Sequence, residues 1–145
     1  MLSLIFKLSS GMLMLMPAVT LAELPGRPCP IAAALELVGE RWALLIVREL
    51  ALSNTRFQDI VQGTGAPRDR VAARLKALEE AGVIRRILYQ ATPARFDYRL
   101  TDSGRALLPV LDALLTWGLD HAVHPSDPDR DRYRRQKGRR TVRTP

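Results

Sequence analysis

Disulfides, zinc clusters and an aromatic-rich core are out of reach for this sequence, because it is short of the residues that build them. It holds one cysteine, Cys29, which excludes an internal disulfide. With only two histidines, His121 and His124, no zinc-ligand spacing can be drawn, and neither a metal nor another cofactor is expected. Three Phe, three Tyr and two Trp leave the core to aliphatic side chains. Serines, histidines and acids occur, but no spacing sets a base beside a nucleophile, so an enzyme is not expected. A long apolar run is also missing. Lys7, Ser9, Ser10 and Pro17 interrupt the apolar start of the chain, and a bilayer span needs about 20 consecutive apolar residues.

What is present bounds the rest. A chain of 145 residues, 47% of them hydrophobic, has room for one domain with short extensions. The net charge of +7 is unevenly placed. Residues 124–145 hold eight Arg or Lys against three Asp, so the remainder is close to neutral and any basic surface there must come from clustering. Three segments are expected: an apolar stretch at 1–22, a folded domain at 23–123, and a disordered basic tail at 124–145 that buries too little to offset its ordering entropy. The stretch Met1 to Ala22 resembles a secretory signal in composition, but Lys7 follows the first apolar residues and Pro17 ends the next run early. The expectation is that translation starts at Met16; an export signal and an ordered extension are the alternatives.

Inside the domain the periodicities change in a telling order. Pro30 opens a helix with an apolar stripe of Ile31, Ala34, Leu35 and Val38, stopped at Gly39. Arg41 to Leu52 is apolar nearly all round, as a central helix is. Phe57, Ile60 and Val61 mark a third, very short helix ending at Gly63. Thr64-Gly65-Ala66-Pro67 then leads into a fourth, Pro67 to Ala81, with Val71, Leu75 and Leu78 facing inward. Two helices joined by a glycine-containing turn, the second with a basic outer face, make a helix-turn-helix. Ile87 and Tyr89, then Phe96, Tyr98 and Leu100, alternate with polar residues around Ala91 to Ala94: a β-hairpin placed as a wing, with Ile87 and Tyr89 taken as its inward residues. A last helix, capped by Thr101 or Asp102 and kinked at Pro109, runs to about His121. The fold class is mainly α with a small β-hairpin, a winged helix-turn-helix with flanking helices at each end.

The residues Cys29-Pro30, Gly39-Glu40-Arg41-Trp42, Arg56-Phe57, Arg74-Leu75, Gly82, Tyr98-Arg99-Leu100-Thr101, Gly104 and Trp117-Gly118 resemble the HxlR-type winged-helix regulators of bacteria. The likeness covers roughly Cys29 to His121. It departs from the usual pattern at Ser53, where a glycine is common, and at Ala94, where a second proline often follows the first. The apolar Met1 to Met16 segment is foreign to the family, in line with a start at Met16. The resemblance implies a cytoplasmic, dimeric, DNA-binding transcriptional regulator, related in fold to MarR-type proteins. It also implies a dimer interface formed by the first and last helices, here Ile31, Leu35, Val38, Leu107, Val110, Leu111, Leu114 and Trp117. Some members are thiol-based sensors, so Cys29 has two readings, a redox sensor at a helix start and a small cap residue.

The expected partner is double-stranded DNA, read at a pseudo-palindromic operator by two copies. On the fourth helix Pro67, Arg68, Asp69, Arg70, Ala73 and Lys76 lie at the start or on the outer side, and Arg68 and Arg70 are the candidate base readers. Arg74 lies nearer the core edge, open to an ion pair or a DNA contact. Arg95 and Arg99 on the wing are candidate phosphate or minor-groove contacts, and Arg56 before the third helix is a candidate phosphate contact. The competing class is a winged helix that binds another protein and no DNA. The basic fourth helix favours DNA.

Overall fold

The computed structural model describes residues 5–7, 13–15 and 19–140. The proposed start at Met16 lies outside them. The chain divides into two compact units, residues 1–105 and 106–145, so the last long helix falls in the second.

The first unit opens with two short antiparallel strands, β1 (Ile5–Lys7) and β2 (Leu13–Leu15), with Ile5 opposite Leu15. A 3-10 turn, Leu21–Glu23, precedes four helices: α1 (Pro30–Val38), α2 (Ala43–Ala51), α3 (Phe57–Thr64) and α4 (Arg68–Glu80). Pro30 starts α1 because its missing N–H is one the first turn would leave unpaired anyway. The Cys29 Sγ closes another of those gaps by accepting from the Ala32 N–H at 3.3 Å. The α4 stripe of Val71, Leu75 and Leu78 is fully buried, joined by Ala43, Ile46 and Val47 of α2 and Ile60 of α3. Each large aliphatic side chain so buried contributes about 1.5–3 kcal/mol. Val38 belongs to this core at 8% exposure, which removes it from the surface expected to meet a second copy.

One carboxylate is buried among these apolar residues. Glu49 of α2 accepts from Arg48 Nε at 3.0 Å and from Asn54 Nδ2 at 2.8 Å. Arg48 Nη2 also donates to the Gly63 carbonyl, 2.8 Å away, tying α2 to the end of α3.

The wing is an antiparallel pair, β3 (Ile84–Gln90) and β4 (Arg95–Leu100). Its register corrects one expectation. Ile84 lies opposite Leu100, Arg86 opposite Tyr98 and Leu88 opposite Phe96, so these share a face. Ile87, opposite Asp97, therefore lies on the other face and is 42% exposed, and Tyr89 is exposed too. The reason is that buried Ile84 sets the parity of the strand as far as Leu88, and Tyr89 falls at a bulge between Leu88 and Gln90. Arg86 is tolerated on the inner face because its guanidinium lies 4.5 Å from the Phe96 ring centre and pairs with Glu79 at 3.3 Å.

The continuous, kinked last helix is also corrected. Thr101 Oγ1 accepts from the Gly104 N–H and caps a single turn, α5 (Asp102–Arg105). The helix then breaks, and α6 (Leu108–His121) restarts with Pro109 in its first turn. In mid-helix that ring would clash with the carbonyl four residues back; in the first turn it costs nothing. The charged tail, expected without order, carries α7 (Arg130–Arg140), which packs on α6 in the second unit. Its Arg, Gln and Lys are good helix formers, Asp127 Oδ1 holds the Asp129 N–H just before it, and Arg130 Nη2 donates to the Leu119 carbonyl at 2.7 Å.

Candidate nucleic-acid interface

The turn between α3 and α4 is built by four residues. Thr64 Oγ1 donates to the Ile60 carbonyl and accepts from the Ala66 N–H. Gly65 takes a left-handed conformation, φ +69°, which a side chain would disfavour. Ala66 is buried as the pivot, and Pro67, extended at ψ 143°, sets the direction of α4.

From there α4 presents Asp69, Arg70, Ala73 and Lys76 to solvent, opposite its buried stripe. Arg70 and Lys76 have no hydrogen bond or ion pair to any described residue, whereas three other sequence candidates are engaged. Arg68 Nη1 donates to Gln58 Oε1 at 2.6 Å, with its guanidinium 5.0 Å from the Phe57 ring centre. Arg74 Nε lies 3.7 Å from Glu40 Oε2, so of its two readings the ion pair is the one present. Arg56 Nε meets Asp97 Oδ1 at 2.7 Å, and its guanidinium sits 3.7 Å from the centre of the Tyr89 ring. Desolvation works against that charge, but the Asp97 hydrogen bond with the charges of Tyr89 and Asp97 outweighs it and holds the Arg56 pKa above its ordinary value.

On the wing, Arg95 is exposed beside the turn and has no described partner. Arg99 is half exposed and lies 3.6 Å from Asp97 Oδ2. Reading the sequence missed Arg85, which is exposed, unpaired and directly across the hairpin from Arg99. Counting back by twos from Asp97 and Arg99 across the correct register would have found it. Between α3, the start of α4 and the wing runs an open groove of about 670 Å³, lined by Arg56, Phe57, Arg68, Tyr89, Arg95 and Phe96. Arg68 and Arg95 place cations on this groove and Asp59 an acid, and Phe57, Tyr89 and Phe96 form aromatic walls.

The expected dimer-interface residues divide between the two units. In the first, Ile31 and Leu35 of α1 are 73% and 58% exposed. In the second, Val110, Leu114 and Trp117 of α6 are exposed, Trp117 at 60%, while Leu107 and Leu111 are half-buried. Cys29 is half-buried and engaged as the α1 cap.

Residues 37–127 match the family model described as HxlR-like helix-turn-helix. An HTH-type transcriptional regulator of Mycobacterium tuberculosis is 41% identical over 98 residues, which are 68% of this chain and 62% of that protein. The chain thus spans about three fifths of the length of the mycobacterial relatives it matches. A solved structure described as a transcription factor, PA1607, is similar at 38% identity and a TM-score of 0.63, covering 68% of this chain and 69% of its own. The reduced form of the transcriptional regulator YodB of Bacillus subtilis is 32% identical with a TM-score of 0.54, covering 68% of this chain and 98% of its own.

Proposed function

The chain belongs to the HxlR-like helix-turn-helix family, and from that premise we propose that it is a sequence-specific, DNA-binding transcriptional regulator acting as a homodimer. The observation that carries this reading is the outer face of α4, where Arg70 and Lys76 stand exposed and unpaired while Val71, Leu75 and Leu78 face the core. A recognition helix enters the major groove by its first turns, and arginine there offers a bidentate fork to guanine. Arg70 reads bases in this account. Lys76, farther along, meets a phosphate, and Arg95, Arg99 and Arg85 of the wing grip the backbone or minor groove. Basic α7 adds sequence-independent attraction.

A second copy supplies the symmetry for a pseudo-palindromic operator, with half-sites about one helical turn apart or a multiple of it. The exposed apolar residues of α1 and of α6 are the surfaces it would cover. No helix among the described residues is long and apolar enough to cross a membrane, and the place of action proposed is the cytoplasm.

Selection of duplexes from a random pool by the purified protein tests the reading, followed by fluorescence anisotropy on the selected and scrambled duplexes. Enrichment of an inverted repeat is the expected result. Failure to retain any duplex at low salt would leave the fold to a protein-binding role.

A further inference from the structure

We propose that the main role of Arg56 is to position the wing, and that it acts through Asp97. This rests on the regulator reading above and departs from the phosphate contact that sequence alone offered for Arg56.

The segment before α3 runs beside β4 as a rudimentary third strand. The Tyr98 N–H donates to the Thr55 carbonyl at 2.9 Å, and Arg56 and Asp97 form a bridge pair. Side chains reinforce that backbone contact from both strands of the wing. Asp97 Oδ1 on β4 takes Arg56 Nε at 2.7 Å and Thr55 Oγ1 at 3.3 Å, while the guanidinium carbon lies 3.7 Å from the Tyr89 ring centre on β3. One arginine thus grips both strands of the hairpin and anchors them to the helix-turn-helix. The Asp97 side chain is only 17% exposed, so its charge needs this partner more than a surface carboxylate would.

The Nη groups of Arg56 stay open to solvent, but Asp97 offsets the charge they would bring to a phosphate, and drawing the guanidinium away would break the Nε bond to Asp97. That would forfeit a short charge-assisted hydrogen bond and leave a carboxylate facing the DNA backbone. Arg99, at 3.6 Å from the other Asp97 oxygen, is held far more loosely and is the cation the wing can release.

Two accounts of Asp97 then predict opposite signs. If it were only a negative charge near DNA, Asp97→Asn would tighten binding. As the anchor of the wing, it should weaken binding when replaced. The experiment uses Arg56→Gln, Asp97→Asn and the double variant of the full chain, with thermal melts to show that each is folded. Anisotropy on the selected duplex, across a salt series, is expected to show each single variant weaker by about tenfold, and the double no weaker than either. The slope of log affinity against log salt should match the wild type. In the DNA-free protein, hydrogen exchange at the Tyr98 amide should quicken equally in both single variants. Tighter binding by Asp97→Asn, or a slope lowered by about 0.9 in Arg56→Gln, would overturn the proposal. So would unchanged exchange at Tyr98. Should the wild type bind no duplex at all, the regulator reading fails, and the exchange measurement still decides whether Arg56 and Asp97 hold the wing.

Discussion

Arg68 turns back along the molecule to donate to Gln58 of α3, 2.6 Å away, instead of projecting from α4 as Arg70 does two positions later. The two arginines look equivalent in the sequence and are not. Arg70→Ala should abolish discrimination at one base pair of each half-site, worth about 1–3 kcal/mol. Arg68→Ala should weaken binding to specific and scrambled duplexes alike, because it loses a groove wall and a charge but no base contact. Anisotropy on both duplexes separates the two, and equal loss of discrimination would count against the division.

Glu49 and Gly63 occupy adjoining space: a Cβ built on Gly63 would fall within the Glu49 carboxylate. Gly63→Ala should therefore destabilise the fold by about 1–3 kcal/mol, measured by urea unfolding. Shortening Glu49 to alanine makes the room but strands Arg48 and Asn54, so it costs stability itself. The informative comparison is the increment: Gly63→Ala should cost clearly less in the Glu49→Ala background than in the wild type. Equal increments would show that the two residues do not compete for space.

Ser53 follows α2 in a left-handed conformation, φ +70°, with its side chain exposed. A side chain there is strained by about 1–2 kcal/mol, and glycine is not. Ser53→Gly should raise the unfolding midpoint, a gain in stability of up to about 1 kcal/mol once the added freedom of the unfolded chain is counted. A lower midpoint would mean that the Ser53 hydroxyl contributes something the folded structure does not reveal.

Tyr98 titrates above its ordinary value. Burial raises it, the Arg86 guanidinium pulls it down, and Glu79 raises it again. A phenol with a raised folded pKa lends stability that is fully present below its unfolded pKa near 10. That stability is lost as pH rises through the folded value. Wild-type protein should thus lose stability above about pH 10 faster than Tyr98→Phe, which has no proton to lose. Parallel curves from pH 8 to 11 would contradict this.

The helices and their buried stripe were legible because each is written in local periodicity: Val71, Leu75 and Leu78 needed only the spacing of a helix. What escaped depends on partners distant in the chain. Ile87 went to the wrong face because the parity of β3 is set by Ile84 against Leu100, not by hydrophobicity within the strand, and Tyr89 because a bulge follows Leu88. The engagement of Arg56 by Asp97, forty-one positions on, and of Arg68 by Gln58 likewise has no local signature. For the site, sequence found most of the cations but could not tell the free from the engaged.

Arg85 and Arg99 face each other across the hairpin on the same side of the sheet. Like charges so paired destabilise a ladder, and Asp97 reaches only one of the two. The wing of the isolated protein is therefore electrostatically frustrated, carrying strain that any dense row of negative charge would relieve. A polyanion laid along such an element would offset this repulsion as well as bind it. The wing amides should exchange more slowly in the presence of heparin or non-cognate DNA than in buffer of matched ionic strength. The same hairpin should also be the part of the first unit most responsive to salt, tightening as added ions screen the two arginines from one another.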